Sequence, residues 1–223
     1  MAIYFKSIRS GSSGNCYILW TGRTKVLIDC GIGGKQNTRD LLRDHLEETN
    51  ALVLTHSHCD HIRESLISVI AENGIPIRCH KKIKADIKGK LNYKDLRTAR
   101  IKPFDSKPFK VGDFRFKPFV VEHDPDCHTS AFVIEVPHKN LIYKIVFATD
   151  FRKAAGLVDY FIDSDFICVE ANHDPYLLKK NPNRRSTYHL QNKSAGYLLH
   201  WARKLSQTPP KAVMLAHLSE ERN

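Results

Sequence analysis

The sequence lacks any apolar run near the roughly 20 residues that a membrane-spanning helix requires. Residues 1–6 are too few and too mixed in character for the hydrophobic region of a secretory signal. Internal repeats and low-complexity linkers are also absent, and 42% of the 223 residues are hydrophobic while 26% are charged. These features exclude membrane-spanning, repeat and disordered classes. They predict one globular domain over residues 1–223, located in the cytoplasm without membrane attachment.

Paired cysteine motifs are missing as well. Six cysteines are present, but no two of them form a CxxC pair. Several lie inside apolar, strand-like runs, and disulfides are rare in cytosolic chains of this length. The cysteines are therefore expected to be reduced thiols rather than a disulfide framework.

Acidic residues are scarce in two parts of the chain. Residues 78–102 contain ten basic and two acidic residues, and residues 175–219 contain eight basic residues and no acidic one. The formal net charge of the whole chain is +11. Concentrated positive charge favours a polyanionic partner such as nucleic acid. A solvated basic face without a partner is the alternative.

The hydrophobic pattern predicts strands and helices in alternation. Apolar or alternating runs predict strands at residues 3–8, 16–20, 25–29, 51–55, 76–79, 107–110, 114–122, 130–136, 141–148, 166–169 and 212–216. Helical spacing predicts helices at residues 37–46, 62–72, 81–90 and 190–205. Strands followed by interleaved helices, in two successive blocks, predict two sheets with helices outside them.

The strongest chemical signal is a histidine-rich segment after a predicted buried strand and before a predicted helix. It reads Thr55-His56-Ser57-His58-Cys59-Asp60-His61. Imidazole and carboxylate groups in this combination suit zinc or a similar transition metal ion. Four ligand-type residues within six positions, His56, His58, Asp60 and His61, therefore predict a metal site.

Further ligand-type residues follow predicted strands elsewhere in the chain. His123 follows residues 119–122, Asp150 follows residues 145–149, and His217 follows residues 212–216. Strand ends hold side chains rigidly, so these three residues are candidates to complete the metal site. His128 is an alternative to His123, although His123 ends its apolar run directly.

These motifs resemble those of a known superfamily. The segment from His56 to His61 resembles the HxHxDH signature of the metallo-β-lactamase superfamily, and Asp29, His123, Asp150 and His217 match its other motifs. Residues 11–17, 170–174, 189–192 and 217–219 resemble the WalJ/YycJ (VicX) group, whose members are regarded as metal-dependent nucleases.

Three departures from the group weaken the inference about substrate. Phe151-Arg152 replaces the usual Thr-Gly after Asp150, and Gln191 stands where the group has serine. Only six residues follow His217, so a closing strand or helix of the group is expected to be missing.

The resemblance implies a four-layer αβ/βα sandwich of two mixed sheets with outer helices, and two divalent ions, Zn²⁺ or Mn²⁺. A metal ion lowers the pKa of bound water to about 7, which gives hydroxide at neutral pH. One ion is expected at His56, His58 and His123, the other at Asp60, His61 and His217. Asp150 is expected to bridge them.

Other residues are expected to support the centre. Asp29 and His173 are expected to orient ligands from the second shell, and His189 resembles a proton donor or phosphate-binding histidine of the nucleases. Asp60, Asp150 and His189 are thus the expected catalytic residues. For Asp29, His173 and His189 the alternative is a purely structural role.

The basic stretches complete the functional hypothesis. The residues expected to bind nucleic acid are Lys81, Lys84, Lys88, Lys179, Lys180, Arg184 and Arg185, the last four in a loop before His189. The predicted function is hydrolysis of phosphodiesters by an exonuclease, with DNA favoured over RNA as substrate. The alternative is a metallo-hydrolase of a small molecule such as a thioester, lactone, lactam or cyclic nucleotide.

Overall fold

The computed structural model describes residues 2–223, apart from the side chains of Lys35, Asn37 and Thr38. The chain forms two compact units, the first ending at Arg115 and the second covering Phe116–Asn223. That these units act as a single domain stays a prediction. Among the described residues, no helix is long and apolar enough to cross a membrane.

The first sheet contains six strands in their sequence order. They are β1 (Tyr4–Arg9), β2 (Cys16–Trp20), β3 (Lys25–Cys30), β4 (Thr49–Val53), β5 (Ile77–His80) and β6 (Ile101–Phe104). Strands β1, β2 and β3 are antiparallel neighbours, whereas β3, β4, β5 and β6 run parallel. The carboxyl ends of β3 and β4 therefore point to the same edge of the sheet, where the histidine-rich segment begins.

Four helices accompany this sheet. They are α1 (Lys35–Leu46), α2 (Glu64–Glu72), α3 (Lys84–Gly89), which follows a 3-10 turn at Lys81–Ile83, and α4 (Tyr93–Thr98). Helix α2 packs on the core through four fully buried side chains, which are Leu66, Ile67, Val69 and Ile70. It ends before Gly74, whose φ of 64° is readily adopted by glycine.

The second sheet has the strand order β12-β11-β10-β9-β8-β7. Its strands are β7 (Phe109–Val111), β8 (Phe114–Val121), β9 (Thr129–His138), β10 (Leu141–Ala148), β11 (Phe166–Glu170) and β12 (Ala212–Ala216). Strands β9 and β10 are antiparallel, whereas β10, β11 and β12 are parallel. The residues that follow these three parallel strands lie at one edge of the sheet.

Three helices belong to the second unit. They are α5 (Val158–Phe161), α6 (Pro175–Lys180) and α7 (Asn192–Leu205), and a 3-10 turn at Arg185–Tyr188 precedes α7. Lys179 and Lys180 were expected in a loop, and this expectation is wrong because both lie at the end of α6. Asp174 caps the helix by accepting hydrogen bonds from the backbone N–H groups of Tyr176 and Leu177, and Pro175 occupies its first turn.

Candidate functional site

The histidine-rich segment lies between β4 and α2 and brings its imidazoles together. The His56 ring centroid lies 4.6 Å from that of His58 and 4.0 Å from that of His61. His56 and His61 are buried, whereas His58 and Asp60 are partly exposed. These four residues, His56, His58, Asp60 and His61, are called the N-terminal cluster below.

Asp29, directly before the last residue of β3, holds the ring of His61. Asp29 Oδ2 accepts a hydrogen bond of 2.8 Å from His61 Nδ1 and one of 2.7 Å from the hydroxyl of Thr55. The backbone N–H of Thr55 donates to Asp29 Oδ1 at 2.8 Å. Because Nδ1 of His61 donates its proton to Asp29, its Nε2 carries the lone pair that a metal ion requires.

The backbone of the N-terminal cluster is held very close to the end of β3. The carbonyl oxygen of Asp60 accepts a hydrogen bond of 2.7 Å from Asn15 N–H, and that of His61 accepts one of 2.8 Å from Cys30 N–H. A Cβ atom on Gly31 would lie 1.8 Å from the Asp60 carbonyl oxygen. Only glycine therefore fits at position 31. The loop between β1 and β2, which contains Asn15, helps to fix the backbone of Asp60.

A second group of ligand-type residues lies at the carboxyl edge of the second sheet. Asp150 follows β10, Glu170 ends β11, His217 follows β12, and His189 follows the 3-10 turn before α7. These four residues are called the C-terminal cluster. One ligand atom from each lies within 4.8 Å of one from every other member. Glu170 was not among the residues expected at the site.

Glu170 is fully buried, and its carboxylate accepts four hydrogen bonds. Its Oε1 accepts from His189 Nδ1 at 2.7 Å and from His217 Nδ1 at 3.0 Å. Its Oε2 accepts from the backbone N–H groups of Phe151 and Leu190 at 2.8 and 3.2 Å. Glu170 thereby fixes both rings, and His217 Nε2 lies 3.5 Å from Asp150 Oδ1.

The contact between Glu170 and His189 changes the protonation of both groups. Burial opposes ionisation of Glu170, but the charge of His189 and the hydrogen bonds from His189 and His217 lower its pKa. Burial likewise opposes protonation of His189, but the charge and hydrogen bond of Glu170 raise its pKa. The result is a carboxylate beside an imidazole that holds its proton to higher pH than an ordinary histidine does.

Two further histidines, His123 and His128, contact different partners. The His123 ring centroid lies 5.0 Å from that of His189, and His123 Nδ1 donates to the carbonyl oxygen of Tyr188 at 3.0 Å. His128 Nε2 instead lies 3.4 Å from Ser130 Oγ. The positions favour His123 over His128 as the ligand candidate.

His173, which was expected to orient metal ligands, is buried beside Asn172. Its Nδ1 lies 3.3 Å from Asn172 Oδ1, and burial lowers its pKa. Asn172, rather than His173, contacts His217, since its Nδ2 donates to the His217 carbonyl oxygen at 2.7 Å. Asn172 was not singled out as a site residue in the sequence.

Three of the candidate site residues share an uncommon backbone conformation. Asp29, Asp150 and His217 have φ values of 53°, 59° and 53°, and the other described non-glycine residues with positive φ are Lys139 and Asp163. The left-handed region costs an L-residue roughly 1–2 kcal/mol, and such strain is concentrated at functional sites. Each of the three lies close to the carboxyl end of a strand.

The basic residues lie on the surface of two separate segments. Lys81 lies in the 3-10 turn before α3, Lys84 and Lys88 lie in α3, and α6 contains Lys179 and Lys180. Arg184 and Arg185 lie at the start of the 3-10 turn that leads to His189. All seven are exposed except Lys84, which is partly buried.

The donor chemistry of both clusters fits divalent metal ions. The N-terminal cluster offers three imidazoles and a carboxylate, and the C-terminal cluster offers imidazoles with the carboxylate of Asp150. Nitrogen and oxygen donors of this kind suit zinc and manganese. Asp29 and Glu170 hold His61 and His217 through Nδ1, as carboxylates typically hold metal-binding histidines.

Comparison with known proteins agrees with the motifs. Residues 24–218 match the family model described as the beta-lactamase superfamily domain. The chain is 27% identical over 234 aligned residues to the exodeoxyribonuclease WalJ of Streptococcus pneumoniae serotype 2, and the match covers 98% of this chain and 82% of that protein.

Solved structures with the same fold include two that cover nearly the whole chain. The metallo-β-lactamase fold protein YhfI from Bacillus subtilis superposes with a TM-score of 0.76 at 18% identity, covering 99% of this chain and 88% of that one. The short form of human tRNase Z superposes with a TM-score of 0.69 at 17% identity, covering 97% and 93%. The predicted fold class is confirmed, and the chain belongs to the β-lactamase superfamily as a metallo-β-lactamase-fold hydrolase.

Proposed function

We propose that this protein is a metal-dependent phosphodiester hydrolase that cuts nucleic acid, and that DNA cut from an end is its substrate. The observation that carries the proposal is the pair formed by His189 and Glu170 beside Asp150 and His217. An imidazole that keeps its proton suits the departure of an alkoxide from phosphorus, which requires an acid. Similarity to an exodeoxyribonuclease supports DNA as the substrate.

The metal ligands of the proposal are the seven residues expected from the motifs. His56, His58 and His123 would hold one ion, Asp60, His61 and His217 would hold the other, and Asp150 would be shared. Divalent ions supply Lewis-acid activation of water and of phosphoryl oxygens when they are bound. The residues of the chain hold these donors ready, since Asp29 fixes His61 and Glu170 fixes His217 through hydrogen bonds to Nδ1.

His189 is proposed to act on the leaving group. Because the Nδ1–H group of His189 donates its hydrogen bond to Glu170, Nε2 of the protonated ring is the nitrogen available to donate a proton to the departing oxygen. The negative charge of Glu170 stabilises the protonated ring before the transfer. Glu170 acts through His189 and His217 and is therefore a positioning residue.

The surface charge supplies the proposed contacts to the nucleic acid backbone. The 3-10 turn Arg185–Tyr188 leads directly into His189. Arg184 and Arg185 therefore lie one short turn before His189 in the chain. Lys179 and Lys180 end α6 a few residues earlier. Phosphate contacts from these four residues would hold the substrate where His189 acts.

Labelled oligonucleotides test the proposal directly. Single- and double-stranded DNA and RNA, labelled at the 5′ or 3′ end, are incubated with the protein and Zn²⁺, Mn²⁺ or Mg²⁺. We expect stepwise shortening of DNA, abolished by Asp60→Ala and unchanged by Asp159→Ala, a variant of an exposed aspartate in α5. Absence of cutting on every nucleic acid, together with hydrolysis of a thioester, lactone or lactam, would contradict it.

A further inference from the structure

A small cleft in the first unit combines aromatic rings with positive charge. It has a volume of about 340 Å³, and Lys81, Phe104, Asp105, Lys107 and Phe109 line it together with two prolines. This volume lies at the small end of the range for ligand pockets, roughly 300–1,000 Å³. None of these residues except Lys81 was expected to have a function.

The aromatic part of the cleft is built into the ends of two strands. Phe104 is the last residue of β6 and Phe109 the first of β7, and their rings stack with centroids 4.7 Å apart at 21°. His80 packs edge-on against Phe104 at 5.6 Å, and the Arg78 guanidinium lies 5.4 Å from the Phe109 centroid. Phe104 is buried behind Phe109, so the partly exposed Phe109 ring is held in place before any ligand arrives.

The charge around the cleft favours an anion. Lys81 and Lys107 are exposed, and both border the cleft. Asp105, the acidic residue of the lining, accepts a hydrogen bond of 2.8 Å from the backbone N–H of Lys107. Residues 78–102, which lead into the cleft, contain ten basic and two acidic residues. A ligand with a flat apolar part and a negative group matches this lining.

The cleft is connected to the N-terminal cluster through α3. Ser57 Oγ donates to Asp86 Oδ2 at 2.9 Å, and Lys90 Nζ lies 3.6 Å from Cys59 Sγ. Helical rise places Lys81 about 8 Å from Asp86 along the chain. A strand that passes the histidine-rich segment can therefore continue into the cleft.

We propose that this cleft binds a single-stranded segment of nucleic acid, with a nucleobase against Phe109 and a neighbouring phosphate at Lys81 and Lys107. Aromatic rings beside basic side chains are the usual means of holding single strands without sequence preference. The choice of nucleic acid rests on the proposed function, but the cleft contributes affinity rather than chemistry.

Binding of the full-length, metal-loaded protein to a labelled phosphorothioate oligothymidylate tests the cleft. Phe109→Ala should weaken binding by about 5- to 150-fold, the range found for loss of one base stack. Lys81→Gln with Lys107→Gln should lower the slope of log affinity against log salt by about 0.7 for each lost contact to a single strand. The lysine pair is exposed, so this variant tests the cleft even if Phe109→Ala folds poorly.

A matched control comes from the same basic stretch. Tyr93→Ala with Lys94→Gln and Arg97→Gln removes an aromatic ring and two charges from α4, outside the cleft lining, and should leave affinity and salt slope nearly unchanged. Equal effects of the cleft and control variants, or no binding by the parent protein at any salt concentration, would overturn the proposal.

Hydrolysis of a small phosphodiester, bis(p-nitrophenyl) phosphate, separates the two proposals. Phe109→Ala should hydrolyse it at the parent rate, and a large loss of this activity would also overturn the assignment of the cleft to binding. If the parent protein cuts no phosphodiester but the cleft variants still lose binding, the proposed function fails and the binding site stands.

Discussion

His189 Nδ1 lies 2.7 Å from Glu170 Oε1, in a partly buried contact that joins the end of β11 to the residue after the 3-10 turn. The same oxygen accepts from His217 Nδ1. One carboxylate therefore orients a proposed metal ligand and a proposed proton donor together.

Replacing Glu170 by glutamine should damage both functions. An amide has one oxygen to accept hydrogen bonds, whereas four donors point at this carboxylate. We expect Glu170→Gln to lower metal affinity or activity by about 10- to 100-fold, as is typical for outer-shell partners of metal ligands. Metal titration and phosphodiesterase assays measure both. Glu220→Gln, at an exposed glutamate, is the control, and equal behaviour of the two variants would contradict the role of Glu170.

The raised pKa of His189 predicts a pH-dependent stability of the metal-free protein. A histidine whose pKa is higher in the folded state stabilises that state fully below its ordinary value of 6.5, and this stabilisation is lost as pH rises through the folded-state pKa. The lowered pKa of Glu170 acts in the opposite direction, since its contribution is lost as pH falls below 4.5 through its folded-state value. The interaction between His189 and Glu170 should therefore stabilise the folded state most between about pH 4.5 and 6.5.

Urea denaturation across this range measures the effect. His189→Gln should remove the fall in stability that begins above pH 6.5, whereas His200→Gln, at an exposed histidine of α7, should retain it. A His189→Gln profile that parallels that of the parent protein at every pH would refute the assignment.

Gly31→Ala should disturb the N-terminal cluster through the backbone of Asp60. The added Cβ would meet the Asp60 carbonyl oxygen at 1.8 Å, so backbone must move. We expect a loss of stability of about 1–3 kcal/mol, the usual cost of overpacking, together with weaker metal binding. Gly22→Ala is the control because a Cβ there meets nothing within 4 Å. Thermal unfolding and metal titration compare the two, and a Gly31→Ala protein as stable as Gly22→Ala would show that the approach is not tight.

The basic residues before His189 should determine the salt dependence of nucleic acid binding. Each phosphate contact to duplex DNA contributes about 0.9 to the slope of log affinity against log salt. Replacing Lys179, Lys180, Arg184 and Arg185 by glutamine should therefore flatten the slope by up to about 3.6, with a smaller effect on the rate of cutting. The control neutralises four exposed lysines elsewhere: Lys6, Lys110, Lys139 and Lys204. Equal slopes for the two quadruple variants would show that the four basic residues before His189 do not contact nucleic acid. That result would favour a small-molecule substrate.

Long apolar runs made much of the fold predictable. The bounds of β2, β10 and β12 agree with the sequence prediction because each is an uninterrupted run with few polar residues. The short helices α4, α5 and α6 were missed, since four to six residues carry too little periodicity to detect. Strand β6 was also missed because Pro103 weakens its pattern, although proline is tolerated in a strand at the edge of a sheet.

The site was predictable where ligand-type residues are close in sequence or directly follow strands. Glu170 ends an apolar strand just as Asp150 and His217 follow theirs, so the same signal was available for it. Its partners, however, lie 19 and 47 residues away, and no spacing rule connects them. The role of Gly31 depends on how closely the Asp60 backbone approaches it, which is visible only in the folded structure.

The left-handed backbone at Asp29, Asp150 and His217 affects how mutagenesis of this protein must be read. Alanine at such a position loses the side chain and also resists the conformation, so an alanine scan mixes two effects. Asparagine tolerates left-handed φ and glycine adopts it freely. Asparagine and glycine substitutions at these three positions therefore separate the chemistry of the side chain from the conformational preference of the main chain.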